Sequence, residues 1–462
     1  MPPNKAGIIP RLAPSSFFST ISGDLLNEPA SAFPPASSPR PSACPGLLRV
    51  VRARDGGLCR IKLPGGVLTA IQAEAIAAAA ERYASGVIEV TNRSNLQLRG
   101  IGADAEKLAE QLLAAGLGPR HAAADDVRNL MLSPMADLDP QRLADTGPLA
   151  ARILQSLEQR TALHQLSAKF AVQLDGGEAL TMLGHHHDLW LSAMTLEGRV
   201  VWAVGLAGSP LDGSDVAVAF EDGHDLVMAV LERFVHLATP EQGRMRDLEQ
   251  ASRGLRGLLQ ESPVTFLAAN FERTAACAEP LAVHSQSESG WVGVGAGAPL
   301  GRVDVSMLRG LARLARQYGD GRMRMTPWQG VLLTHVRRED AASLVEKLRD
   351  LGLLPDPAAP LAQLRACTGS AGCAKGLADT KADALRLAAR LPVAQEVHLS
   401  GCTRSCACAH SAASTLLAVG EGFYDLYVRD ASGEGFGTLQ ARHLSLDAAA
   451  ARLGCSRSDT HD

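Results

Sequence analysis

Hydrophobic and polar positions fall into an order that the chain uses twice. Residues 63–101, "LPGGVLTAIQAEAIAAAAERYASGVIEVTNRSNLQLRGI", read as a glycine turn, an amphipathic helix, a glycine break and two alternating strands. Residues 298–336, "APLGRVDVSMLRGLARLARQYGDGRMRMTPWQGVLLTHV", repeat that order without a gap. Pro64/Pro299, Gly66/Gly301, Tyr83/Tyr318, Gly86/Gly321 and Thr91/Thr326 stand at one constant spacing. A strand ahead of each turn ("LCRIKL", "GWVGVGAG") and a helix behind ("ADAEKLAEQLLAAG", "EDAASLVEKLRDLG") complete each unit. The shared register argues for duplication over chance.

Each copy is followed by a longer mixed segment. After the first come the helix "GPLAARILQSLEQRTALHQL" and the strand-like "KFAVQLDGG" and "RVVWAVGLAG"; after the second comes a cysteine-bearing region. The plan is unit, lobe, unit, lobe. It predicts an α+β fold in which two half-domains, 46–118 and 276–355, form one central unit. Two α/β lobes, 119–275 and 356–462, are related by pseudo-twofold symmetry. Residues 1–45, rich in Pro, Ser and Ala, read as a disordered or loosely packed leader.

Composition narrows the function classes. At 462 residues the chain is too long for one core. With 46% hydrophobic residues and 20% charge it is globular. A net charge of −4 gives no general basic field, so nucleic acid is not an expected partner. No apolar run approaches the roughly 18–20 residues of a membrane span, and the N-terminus lacks a signal-peptide pattern. The expected location is the cytoplasm, where thiols stay reduced and clustered cysteines point to metal or redox work.

Those cysteines lie in "RACTGSAGCAKGLADTK" and "GCTRSCACAH". Cys367 and Cys373 have five residues between them, and Cys402 and Cys406 have three. Four thiolates in two pairs suit a 4Fe–4S cluster. Tetrahedral zinc is the competitor, but its paired ligands usually sit two to four residues apart. Cys408 falls outside the pattern. The glycines Gly369, Gly372 and Gly401 are expected to let backbone approach a bulky cluster.

Together, the cysteine spacing, "CTGSAGC…ADTK" and "TNRSNLQLRGI" resemble the siroheme-dependent sulfite and nitrite reductase family over most of residues 46–440. The resemblance makes the duplicated units ferredoxin-like half-domains and places the iron–sulfur cluster in the C-terminal lobe. It implies Cys367, Cys373, Cys402 and Cys406 as ligands, with Cys406 nearest a tetrapyrrole. "ACPGLLRVVRARDGGLCRIKLPGG" and "TPWQGVLL" resemble one branch of that family, the precorrin-3B synthases of aerobic cobalamin biosynthesis. That likeness implies an oxygen-dependent monooxygenase that hydroxylates precorrin-3A and forms a γ-lactone. It also implies no siroheme, dioxygen as co-substrate and electrons from a separate reductase using NAD(P)H. A siroheme-dependent sulfite or nitrite reductase is the alternative. Ala171, at the position of a second reductase lysine after Lys169, and the missing Asn in "GCTRSC" weigh against that alternative.

A macrocycle edged with carboxylates needs cations around an apolar slot, and arginine forks suit carboxylates best. Arg60 and Lys62 in "CRIK" are expected on one strand face, as are Arg93, Asn95, Gln97 and Arg99 in "TNRSNLQLRG". Arg322 and Arg324 repeat the spacing. Solvated outer faces are the usual fate of such residues. The family likeness adds Arg93, Arg128 and Lys169, so the substrate-binding set is Arg60, Lys62, Arg93, Arg99, Arg128 and Lys169. In "GHHHD", His185 to Asp188 offer the ligand types of a mononuclear non-haem iron, although a polar loop beside the cleft is the favoured reading. His335, His398 and His410 are further imidazoles. The glycines of "GVGAGAPLG" read as a tight turn against the macrocycle, not as a dinucleotide loop.

Overall fold

The computed structural model describes residues 44–260, 263–274, 277–408, 411–430 and 435–455. All but two residues of the expected leader, together with His410, lie outside these.

The two repeats do not form two separate sheets. The first sheet runs Val51–Ala53, Gly56–Ile61, Leu96–Ile101, Ile88–Val90 and then Arg302–Val303, a strand from the second repeat. The second runs Val283–Ser285, Trp291–Gly297, Gly330–Arg337, Arg322–Met325 and then Val67–Thr69, a strand from the first. The exchange is reciprocal in register. Arg302 pairs with Glu89 and Val303 with Ile88, while Arg324 pairs with Val67 and Met323 with Leu68. Each half supplies the strand that ends the other's sheet, so the half-domains make one central unit.

Helices Ala70–Tyr83 and Val305–Tyr318 occupy equivalent places in the repeats and pack on each other. The first starts at a capping box between Thr69 and Gln72; the second starts where Asp304 accepts from the Met307 amide. Ile76, Ala77 and Ala80 of one and Leu308, Leu311 and Ala315 of the other are buried in a single core. Removal of this apolar area from water holds the unit together. The ion pairs Arg309–Glu81 and Arg316–Glu74 across the same helices are exposed and add little. The second copy takes the left-handed backbone at Leu300 and His335, where the first has Gly65 and Gly100.

The lobes also match. The first carries a six-stranded sheet in which Leu130–Leu132, Val172–Asp175 and Leu189–Leu196 pair in parallel and the next strands antiparallel. The second has five strands: Leu364–Ala366, Val397–Ser400 and Ser414–Gly420 are parallel, and Phe423–Val428 and Thr438–Ser445 follow antiparallel. Each has its own hydrophobic core. Among the described residues no helix is long and apolar enough to cross a membrane.

Candidate cluster and anion site

Parallel strands deliver their following loops to one edge of the sheet, where open α/β sheets bind ligands. In the second lobe, Cys367 follows strand Leu364–Ala366, and Cys402 follows Val397–Ser400 by two residues. Burial raises the Cys406 thiol pKa, and Cys367, Cys402 and Cys373 raise it further, so the four thiols share one neighbourhood. The Gly401 amide donates to Cys367 Sγ at 3.2 Å. Among the described residues no three His, Cys, Asp or Glu side chains close on a single metal-sized point. Cys406 and the three soft donors within its electrostatic reach suit an iron–sulfur cluster.

The glycines pack against one another and against neighbouring protein. A Cβ on Gly401 would lie 3.3 Å from the Cα atoms of Gly369 and Gly376, and one on Gly369 would lie 2.4 Å from the Ala378 carbonyl. Gly372 approaches Arg99 instead, where a Cβ would lie 2.6 Å from Nη2.

The first lobe closes the equivalent loops without cysteine. Alignment of the parallel strands sets Ser133, Asp139, Gly177 and Thr181 where the second lobe has Cys367, Cys373, Cys402 and Cys406. Ser133 Oγ donates to the Leu180 carbonyl at 2.5 Å, and Asp139 accepts from the Ala179 amide at 2.9 Å. Thr181 donates to buried Asp175 at 3.3 Å. Polar side chains and backbone satisfy each other where the second lobe leaves four thiols.

A buried ionic hub joins the cluster loops to both repeats. Burial alone would raise the Glu89 carboxyl pKa, but Lys381, Arg99 and Arg302 hold it below the usual range. Arg302 reaches Glu89 at 3.1 Å, Arg99 at 3.5 Å and Lys381 at 4.0 Å. Thr368 Oγ1, beside Cys367, donates to Glu89 at 3.1 Å. Arg99 also grips Asp55 at 2.7 Å and donates to the Gly372 carbonyl at 3.0 Å. At the position corresponding to Glu89, Arg324 meets Asp137 at 2.6 Å and the Pro134 carbonyl at 3.0 Å in the first lobe.

The remaining cations sort differently from expectation. Lys62 is buried, donates to the Asp126 carbonyl and has its pKa pushed down to about 7, chiefly by burial. Arg128 is buried against Glu158 at 3.6 Å. Lys62 and Arg99 are held by hydrogen-bonded protein partners, whereas among the described residues Arg128 has the Glu158 ion pair but makes no hydrogen bond through Nε or Nη2. Arg93 also leaves the expected strand face, because the strand starts only at Leu96 and Ser94 turns the chain with a φ of 55°. Its guanidinium swings to the first lobe and donates to the Lys169 carbonyl at 3.1 Å. The Lys169 side chain is exposed.

What converges is Arg60, Arg93 and Arg244. Burial, then Arg244 and Arg60, push the Arg93 pKa down to about 10. Arg60 is fixed to Gln97 Oε1 at 2.6 Å and lies within electrostatic reach of Cys406. Arg244 is neutralised by Asp188 at 2.9 Å. Among the described residues neither Arg60 nor Arg93 forms an ion pair. Nothing in its sequence context, "EQGRMRD", signals Arg244; Glu89, a lone carboxylate in the apolar strand "VIEV", was a legible anomaly.

The histidine run is a polar loop end. Asp188 is taken by Arg244 and by the amides of Ala171 and Met245. His186 is exposed, whereas His185 and His187 are buried. His187 Nδ1 lies 2.8 Å from the His185 carbonyl, so Nδ1 carries the proton. Burial, His185, Arg93 and Arg244 keep the ring neutral, leaving Nε2 as an acceptor. His335 meets Asp320 at 3.3 Å, and His398 is buried on strand Val397–Ser400. Among the described residues no three His, Cys, Asp or Glu side chains are placed to hold a mononuclear iron.

Family models support the same architecture. The nitrite/sulfite reductase ferredoxin-like half domain matches residues 51–115 and 284–351, and the nitrite and sulphite reductase 4Fe-4S domain matches 123–246. The latter stretch is the first lobe and contains no cysteine. A precorrin-3B synthase from Sinorhizobium sp. is 29% identical over 90% of this chain and 89% of its own. A chloroplastic ferredoxin–nitrite reductase from Zea mays is 30% identical over 76% of this chain and 67% of its own. Among solved structures, the Mycobacterium tuberculosis NirA protein superimposes with a TM-score of 0.69 at 19% identity, covering 86% of this chain and 79% of that one.

Proposed function

Because the chain belongs to the nitrite and sulfite reductase family, we propose that it is an iron–sulfur oxidoreductase whose substrate is a polycarboxylated tetrapyrrole. The observation that carries this reading is the pair Arg60 and Arg93. Among the described residues neither guanidinium has an ion-pair carboxylate, and the like charge of Arg60 acting on Arg93 favours an external anion. Arg60 also lies within electrostatic reach of the cysteine expected nearest the macrocycle.

Within that class the reaction is hydroxylation of precorrin-3A with γ-lactone formation, as in the precorrin-3B synthases. The near end-to-end likeness to the Sinorhizobium protein supports it. One oxygen atom of dioxygen enters the macrocycle and the other leaves as water, with two electrons and two protons supplied. A separate reductase is the electron source. When bound to Cys367, Cys373, Cys402 and Cys406, the cluster supplies those electrons singly. Arg60 and Arg93 orient the substrate by its carboxylates. His187, neutral beside Arg93 and Arg244, offers Nε2 to a donor on the substrate.

A siroheme-dependent nitrite or sulfite reductase is the second reading, favoured by the maize relative. Anaerobic purification, iron and sulfide analysis and a visible spectrum separate the two. The synthase reading expects iron and sulfide without siroheme, and oxygen-dependent formation of the hydroxylactone. Stoichiometric siroheme with nitrite or sulfite reduction would replace it.

A further inference from the structure

We propose that the buried hub of Glu89, Lys381 and Arg302 sets the redox potential of the iron–sulfur cluster. The inference rests on the cluster being held by the four cysteines, but not on the identity of the substrate.

The hub is assembled from three separate parts of the chain. Glu89 comes from the first repeat and Arg302 from the second, brought together as partners in the exchanged strand pair. Lys381 and Thr368 come from the cluster lobe. Lys381 Nζ donates to the carbonyls of Leu300 and Ala366, the latter just before Cys367, and it lies within electrostatic reach of that thiol. Thr380, its neighbour in sequence, has Oγ1 3.5 Å from Cys367 Sγ and donates to the Cys367 carbonyl at 2.7 Å. The lysine and its carboxylate are therefore anchored to the peptides that carry the first cysteine.

Both groups are held by hydrogen bonds or ion pairs and largely shielded from bulk water. Lys381 is 6% exposed and Glu89 7%. In a poorly hydrated setting a fixed charge acts strongly on a nearby group that gains an electron. A cluster held by four thiolates becomes more negative on reduction. A cation beside it favours the reduced form and raises the potential; an anion lowers it. Glu89, together with Asp55 on Arg99, balances only part of the positive charge of Lys381, Arg302 and Arg99, so the hub keeps a net positive charge and favours reduction.

The test is an EPR-monitored redox titration of the purified, cluster-loaded protein, with iron and sulfide counted first. Lys381→Met should lower the midpoint potential, and Glu89→Gln should raise it. Arg302→Gln, whose side chain is one-third exposed, should lower it without emptying a buried site. This variant keeps the proposal refutable if Lys381→Met loses iron. Opposite signs for the anion and the cations support an electrostatic origin. Unchanged midpoints, or shifts of one sign in all cluster-bearing variants, overturn the proposal. A wild-type protein without iron and sulfide would overturn the cluster assignment itself.

Discussion

Arg99 Nη2 donates to the Gly372 carbonyl at 3.0 Å, tying the first repeat to the peptide immediately before Cys373. The same carbonyl accepts from the Arg54 amide at 3.2 Å. Arg99 is 4% exposed and bonds the exposed Asp55, while Glu89 keeps Arg302 and Lys381 when Arg99 is removed, so its loss takes away a buried anchor without stranding a carboxylate. Arg99→Ala should cost about 1–3 kcal/mol of stability, the scale of a lost charge-assisted hydrogen bond, and loosen the cluster loop. Urea unfolding and iron per chain measure both. Full stability with full iron would show that Arg99 does not fasten the loop.

Substitution of any one of Cys367, Cys373, Cys402 or Cys406 by serine should strip or damage the cluster, because a hydroxyl replaces a soft thiolate poorly. Cys59 is buried in the central core and Cys277 bonds the Thr181 carbonyl, both away from the loop. Serine at either should leave iron in place. Iron, sulfide and EPR intensity decide. Full retention in the four single variants contradicts the ligand set.

Arg60→Ala and Arg93→Ala should each weaken tetrapyrrole binding about ten- to a hundredfold, since a charge-assisted bond contributes roughly 1.5–3 kcal/mol. Arg128→Ala should act on stability instead, because its guanidinium is buried against Glu158. Arg349→Ala, on an exposed helix end beside Glu346, should be silent in both. Absorbance titration with the macrocycle, beside thermal unfolding, separates these effects. Wild-type affinity in both the Arg60 and Arg93 variants would remove the binding face.

Lys62 gives a pH signature. Its pKa falls from 10.5 to about 7 on folding, so between those values the unfolded chain binds a proton that the folded chain does not. Stability therefore rises with pH across that window, and the cost of burying the charge is fully present below about 7. Relative to Lys62→Met, the wild type should gain on the order of a few kcal/mol between pH 7 and pH 10, at about 1.4 kcal/mol per pKa unit. Urea unfolding of both proteins at several pH values measures it. A pH-independent difference would refute the shifted lysine.

The sequence alone determined whatever depends on local periodicity and spacing. The two repeats were legible because turn, helix and strand patterns recur without a gap, and helices Ala70–Tyr83 and Val305–Tyr318 fill the expected spans. Cys367, Cys373, Cys402 and Cys406 could be singled out because loops carry their spacing with them. Tertiary structure alone decided how these pieces complete one another. No local pattern states that Arg302–Val303 ends the first sheet while Val67–Thr69 ends the second, because strand pairing is a contact between distant residues. The cations follow the same division. Period-two alternation put Arg93 on a strand face, but the left-handed Ser94 turns it towards the first lobe. Arg99, Lys62 and Arg128 look free as side chains in a sequence; carboxylates and carbonyls from other segments lie against them in the fold. Which charge is left over for a ligand depends on the sum of those distant partners, and that sum exists only once the chain has folded.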